Sequence, residues 1–146
     1  MPAGNGVPEI GYGGGGVRYD EFVAKVRDRG EYADPAEAER VTHLVLGILA
    51  QRLTPDEAED LAAQLPGPLA ATLISAGQGV AGAFGSREFL ARIATGAGAT
   101  ARTAEWDASA VLCTVAEAVS GGELNDVLTQ LPSGYAPLFG RAGLSG

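Results

Sequence analysis

The chain carries one pattern twice. The stretch from Glu37 to Leu73 reappears sixty-six residues later as Thr103 to Phe139. Under that offset Ala38-Glu39 falls on Ala104-Glu105, Val45-Leu46 on Val111-Leu112, Glu57 on Glu123, Asp60 on Asp126 and Gln64-Leu65-Pro66 on Gln130-Leu131-Pro132. Upstream, Phe22 matches Phe89 once a one-residue gap is allowed. Such a repeat constrains the fold more than any local propensity, because each copy must bury an apolar face that one copy alone cannot cover. In a chain of 146 residues, two such copies are expected to share one core rather than fold apart.

Local signals place three to four helices in each copy. Tyr19, Phe22, Val23 and Val26 recur at helical spacing and predict a first amphipathic helix that Gly30 ends. Asp34-Pro35-Ala36-Glu37 reads as an N-cap, a proline at the first helical position and a capping-box glutamate. The second helix then runs to about Leu53. Its apolar arc, from Val41 through Leu44, Val45, Leu46, Ile48 and Leu49, is wide enough to make it the most buried helix of its copy. Thr54-Pro55-Asp56-Glu57 is another capping box and opens a third helix that Pro66 ends, and a turn through Leu69 and Leu73 closes the copy. The second copy repeats the plan with Phe89, Leu90 and Ile93, then Val111, Leu112, Val115 and Val119, and Ser120-Gly121-Gly122-Glu123 stands where the third-helix cap belongs. No stretch alternates apolar and polar residues between hairpin turns. The expected class is therefore all-α, an internally duplicated helical bundle whose two units pack with pseudo-twofold symmetry.

Residues 1–17 contain Gly13-Gly14-Gly15-Gly16 and little apolar periodicity, so they read as a flexible tail whose ordering would cost entropy with little burial in return. One helical domain is expected over 18–140, as repeats 18–74 and 86–140. A glycine-rich linker, 75–85, joins them with some helical capacity around Val80 to Phe84, and 141–146 form a short C-terminal tail.

The net charge of -8 and a pI of about 4.5 oppose binding to a phosphate backbone, where affinity comes from Lys and Arg. The nearest thing to a basic stripe is Arg18, Lys25, Arg27 and Arg29, and Asp20, Glu21 and Asp28 interleave with it. Nucleic acid is not an expected partner. A single cysteine, Cys113, excludes an internal disulfide and any multi-cysteine metal site. No run reaches the length of a membrane span, and no basic segment followed by an apolar one opens the chain. The expectation is a cytoplasmic protein without membrane association.

The Phe22-Val23-x-x-Val26 helix, the Leu53-Thr54-x-x-Glu57-Ala58 junction and the Gln64-Leu65-Pro66 stop recur in the second copy as Phe89-Leu90-x-x-Ile93, Gly122-Glu123 and Asp126-Val127-x-x-Gln130-Leu131-Pro132. In their order and spacing these residues resemble the bacterial family called domain of unknown function 2267, over about residues 18–140. The resemblance implies a duplicated all-helical fold and no function. The glycine-rich middle departs from the family pattern, in which charged or aromatic residues are more usual.

Chemistry-bearing motifs each have a plain structural reading. Gly77-Gln78-Gly79-Val80-Ala81-Gly82 spells the dinucleotide fingerprint, as does Gly11 to Gly16, but neither follows a buried strand and leads into a helix. His43 is alone, with only Glu39 on the same helix face to share a ligand, and a zinc site needs three or four convergent donors. Cys113 stands at the position of Gly47 and reads as a small packing residue. Asp56, Glu57, Glu59 and Asp60 open a helix, where carboxylates meet the positive end of the macrodipole and read as a solvated face. No catalytic residue, cofactor or metal site is expected, and the chain reads as an enzyme less readily than as a binding module.

Apolar groups without an assigned slot are the candidate interaction anchors. These are Trp106, which falls opposite Arg40 in the repeat register, Tyr135 and Phe139 near the end, and Val7, Ile10 and Tyr12 in the tail. The leading expectation is a non-catalytic interaction or regulatory module whose partner is another protein. The alternative is a small-molecule or hydrolytic site at the seam between copies, where helical bundles tend to place pockets, and a DNA-binding regulator ranks last.

Overall fold

Four of the described helices begin at a side chain, Asp34, Thr54, Thr100 or Ser120, that accepts one of their first free N–H groups. The structure, a computed structural model, describes residues 17–79 and 82–141. In chain order the elements are α1 (Tyr19–Gly30), α2 (Pro35–Ala50), α3 (Pro55–Ala62), α4 (Gly67–Ala76), α5 (Ser86–Ala97), α6 (Ala101–Ala118), α7 (Gly121–Thr129) and a closing 3-10 helix (Ser133–Phe139). The fold is all-α, with no strand among the described residues. Asp34 caps α2 by accepting the Glu37 N–H at 2.9 Å, Thr54 caps α3 through the Glu57 N–H at 3.2 Å, and Ser120 caps α7 through the Glu123 N–H at 3.0 Å.

The two longest helices carry the core. Val45, Leu46 and Leu49 of α2 and Val111, Leu112 and Val115 of α6 are buried, as are Leu61 of α3 and Val127 of α7. Full burial of side chains of this size is worth roughly 1.5–3 kcal/mol each, so the α2–α6 layer outweighs any cap. α2 packs against α1, α4, α5 and α6, while α6 packs against α1, α2, α5 and the closing 3-10 helix. α1 thus reaches over to α6 and α5 reaches back to α2, and α3 packs against α7. Phe22 and Val26 of α1 and Phe89 and Ile93 of α5 are fully buried by these crossings.

Several local expectations need correction. α2 ends at Ala50 rather than near Leu53, because the Gln51 N–H turns back to the Ile48 carbonyl and the Arg52 N–H to that of Leu49. Leu53 is still buried, delivered inward by that tight turn. The left-handed residue after α1 is Glu31, with φ of 56°, not Gly30. Gly30 serves by having no side chain, since a Cβ there would overlap the ring of Tyr32. Of the stretch expected to be helical around Val80 to Phe84, Val80 and Ala81 lie outside the described residues and Gly82, Ala83 and Phe84 are not helical. The Gly82 N–H bonds the Gln51 carbonyl at 2.7 Å instead. Val17, assigned to the tail, packs half-buried against the core, whereas Val7, Ile10 and Tyr12 lie outside the described residues.

The capping boxes of α3 and α7 are also not closed as expected. A capping-box glutamate returns to the backbone N–H of its own cap. Here the Thr54 N–H donates to Gln130 Oε1 at 3.2 Å and the Ser120 N–H to Gln64 Oε1 at 2.7 Å, so each cap is completed by a glutamine from the end of the other helix. The amide nitrogens return the contact, Gln130 Nε2 to Thr54 Oγ1 and Gln64 Nε2 to Ser120 Oγ, both at 3.4 Å. Glu57 and Glu123 are released to point elsewhere. Thr54→Ala and Ser120→Ala should each destabilise the fold by about 0.5–2 kcal/mol, the usual worth of an N-cap. Gln130→Ala should destabilise the fold as well, and by a similar amount in the Thr54→Ala background, because the backbone N–H of position 54 that Gln130 Oε1 accepts is kept there. Chemical denaturation of the singles and the double checks this, and midpoints unchanged by Gln130→Ala would contradict the crossed caps.

Candidate functional site

Among the described residues, two places bring chemistry-bearing side chains from distant parts of the chain together around a shared space. The first is where α3 meets α7. Glu57 and Glu123 occupy the third position of their helices and, with their cap duty taken by glutamines, turn into the interface, where only 7% and 8% of each remains exposed. Glu57 Oε2 and Glu123 Oε2 are buried without a hydrogen-bond partner among the described residues. With the exposed Asp60 they place carboxylate oxygens within 4.8 Å of one another. Burial first, then the Glu57 carboxylate beside it and the charges of Asp60 and Asp126, push the Glu123 carboxyl up to about 8. The acidic start of α3 is therefore not wholly a solvated face, because Glu57 belongs to a buried pair whose partner comes from α7.

The second place is a cleft of about 510 Å³ between the α1–α2 turn, α2, the end of α5 and the first turns of α6. Trp106, half exposed at 51%, forms one wall, and its indole N–H bonds the Gly30 carbonyl at 2.9 Å. Glu37, Arg40 and Val41 line it from α2, and Tyr32 and Asp107 complete it. The Tyr32 hydroxyl donates to Asp107 Oδ1 at 2.6 Å. Burial raises the Asp107 carboxyl above its ordinary value and the nearby Glu37 adds to this, against the opposing pull of the Tyr32 hydroxyl. Burial, then the Asp107 carboxylate, likewise hold the Tyr32 phenol well above its ordinary range. Its lining thus sets the carboxylates of Glu37 and Asp107, the guanidinium of Arg40 and the indole of Trp106 around one open space.

The remaining candidates are accounted for by packing. His43 does not line the cleft; its Nδ1 lies 2.7 Å from Thr72 Oγ1 and its Nε2 lies 2.9 Å from the Tyr19 hydroxyl. Tyr19 donates to Glu39 at 2.8 Å, so His43 and Glu39 meet through a phenol rather than a shared ligand, and the chain of bonds ties α1, α2 and α4 together. Cys113 is half-buried with its thiol against the Leu138 carbonyl at 3.7 Å, and burial raises its pKa, which leaves it a poor nucleophile. Tyr135 and Phe139 are buried in the core rather than presented as anchors. Tyr135 packs tilted against Phe89, ring centroids 5.1 Å apart, and its hydroxyl bonds the Phe84 carbonyl at 2.9 Å. The basic stripe is spent locally, with Arg18 on Asp20, Lys25 and Arg29 on Glu117, and Arg27 on the carbonyls of Tyr32 and Ala33. No described helix is long and apolar enough to cross a membrane.

A family described as an uncharacterized conserved protein, DUF2267, matches residues 19–138, from the first residue of α1 into the closing 3-10 helix. The chain belongs to this family. Both the carboxylate pair and the cleft lie inside the DUF2267 region, so neither is an addition to the family fold. No curated protein matches the chain.

The pair gives a pH dependence whose sign can be worked out. A carboxyl that ionises near 4.5 when unfolded and near 8 when folded keeps its proton longer in the native state. The folded form therefore binds more protons across that window, and stability falls as pH rises through it. In chelator-treated buffer the thermal midpoint should decline from about pH 4.5 to 8, and Glu123→Gln, which fixes the neutral form, should flatten the decline. Thermal scans across that range check it; equal slopes in both proteins would count against the buried pair.

Proposed function

We propose that this DUF2267 chain is a non-catalytic binding module of the cytoplasm, built by internal duplication about a pseudo-twofold axis. Its site is the cleft beside Trp106. Support for the duplication comes from how contacts pair. The crossing of α1 to α6 has its counterpart in that of α5 to α2, and the Thr54–Gln130 cap has its counterpart in the Ser120–Gln64 cap, sixty-six residues on at one end and sixty-six back at the other.

The observation that carries the functional reading is which equivalent positions differ. In the repeat register Arg40 corresponds to Trp106, Val41 to Asp107, and Glu37 to Thr103, and all six line the cleft. At the α3–α7 interface the corresponding residues are identical, Glu57 with Glu123 and Gln64 with Gln130. Packing alone gives no reason for these three pairs to differ in charge and aromaticity where they line one open cleft. A partner that is itself asymmetric gives one.

The partner that fits is a protein segment presenting a lysine or arginine. The indole face attracts a cation, Asp107 and Glu37 supply carboxylates, and the chain's charge of -8 would draw basic segments from a distance. Arg40 at the exposed rim would meet a carboxylate or carbonyl of the same segment. A second reading, a small organic cation, draws support from the cleft volume of about 510 Å³, which suits a compact ligand.

Trp106 is the single tryptophan, so its fluorescence reports on the cleft directly. Short peptides carrying one arginine or lysine should change its emission saturably, and free arginine amide should do so only at much higher concentration. Asp107→Asn should weaken the peptide by about 1.5–3 kcal/mol, the worth of a hydrogen bond to a charged group. Equal affinity for the free amide would favour the small-molecule reading, and no saturable change with either would refute the site.

A further inference from the structure

We propose that Glu57, Glu123 and Asp60 form a binding site for a hard divalent cation of the magnesium, manganese and calcium class, bridging α3 and α7. This goes beyond the cleft reading and does not depend on it.

The inference starts from two buried oxygens. Glu57 Oε2 and Glu123 Oε2 are both shielded from solvent and without a hydrogen-bond partner among the described residues, on side chains more than nine-tenths buried. A buried acceptor left unmade costs free energy, and two such acceptors on facing carboxylates also repel. A proton shared between the two glutamates, donated from one to the other, relieves this where the pair retains it. A cation between the two relieves both deficits, provided a third ligand and a path to solvent exist. Asp60 supplies them: its carboxylate oxygen belongs to the same 4.8 Å cluster, and its side chain is exposed. Asp126, which corresponds to Asp60 in the repeat and acts electrostatically on Glu123, adds negative charge at the margin.

The donor set selects the ion. All three ligands are carboxylate oxygens, without imidazole or thiolate, and this suits hard cations and not zinc or copper. The open side toward Asp60 leaves room for water to complete the coordination that magnesium or manganese demands. Crossed glutamine caps at both ends hold α3 and α7 in register, so the two glutamates are positioned before any ion arrives.

Manganese is the probe. Titration of the full chain with Mn²⁺, read by water-proton relaxation in excess monovalent salt, should show one saturable site per chain and raise the thermal midpoint. Glu57→Gln and Glu123→Gln should each weaken binding about tenfold or more, no less than removal of a supporting residue around a metal costs elsewhere. Asp60→Asn, at an exposed position where folding is not at stake, should weaken it too. Glu59→Gln, on the solvent side of the same helix, should leave it unchanged. Absence of a saturable site in the wild-type chain would overturn the proposal. So would binding that survives Glu123→Gln and Asp60→Asn, or that falls as much with Glu59→Gln, because either marks diffuse attraction to an acidic surface.

Discussion

Gln64, just past α3, caps the start of α7, while Gln130, just past α7, caps the start of α3, with donor-to-acceptor distances of 2.7 and 3.2 Å for the backbone bonds. This exchange permits one arrangement only: the two helices must lie antiparallel, with the end of each beside the beginning of the other. Once it holds, the glutamates that would otherwise serve as capping-box partners are free, and their position in the first turn turns them toward each other. The buried pair is thus a consequence of the crossed caps. Two ionised carboxylates about 4 Å apart at an effective dielectric of about 20 repel by roughly 4 kcal/mol, a large fraction of a domain's stability, so an uncompensated pair could not persist. The raised ionisation of Glu123 expresses that compensation.

Helix number, order and most boundaries were legible in the sequence because they rest on local signals: Asp34, Thr54 and Ser120 as caps, Gly30 and Pro66 near helix ends, and an apolar arc on α2 too wide for a surface helix. The end of α2 was misplaced because a tightened last turn leaves Leu53 buried, and periodicity reads burial rather than hydrogen bonds. The carboxylate pair was not legible as a site. Glu57 and Glu123 stand sixty-six residues apart, and each alone is an ordinary helix-start acid. Their matched positions in the sequence repeat were the available signal. The cleft was legible only in Trp106, an aromatic residue without a slot, because Asp107 and Tyr32 come from segments joined solely by the packing of α1 on α6.

Arg52 shows a feature that no local pattern announces. It is buried, and its guanidinium donates to the Gly82 carbonyl and to the Gln130 carbonyl, the latter at 3.3 Å. The same guanidinium lies over the rings of Phe84 and Tyr135, 5.6 and 5.7 Å from their centroids. Planar and weakly hydrated, it can satisfy carbonyls in its plane while its faces pack on aromatic rings. It holds the segment before α5 against the turn after α2, and through Gln130 it touches the residue that caps α3. The glycine-rich middle is therefore held by Arg52, whose guanidinium bonds the Gly82 carbonyl and packs on Phe84, together with the Gly82 N–H on the Gln51 carbonyl and the Tyr135 hydroxyl on the Phe84 carbonyl. In the repeat register Arg52 corresponds to Ala118, which fits a task that arises once because there is one linker.

Under the proposed duplication, a residue near the axis confronts its own copy, and like faces like. For apolar groups this is harmless, and Val45 with Val111 simply adds to the core. For a charged group it is a conflict with two physical resolutions. One is divergence, as in the cleft, where Arg40 corresponds to Trp106 and Val41 to Asp107, so that no charge there meets its own copy. The other is retention with a third party between the two, as at Glu57 and Glu123, where both carboxylates remain and something positive must mediate. A sequence could have avoided the second conflict by placing glutamine or leucine at either position, as many buried pairs can be replaced by apolar groups at no loss of stability. The first resolution yields an asymmetric cleft able to tell one end of a partner from the other. The second keeps two like charges face to face, with Asp60 beside them from one copy only, so that a proton or a cation between them must offset the repulsion.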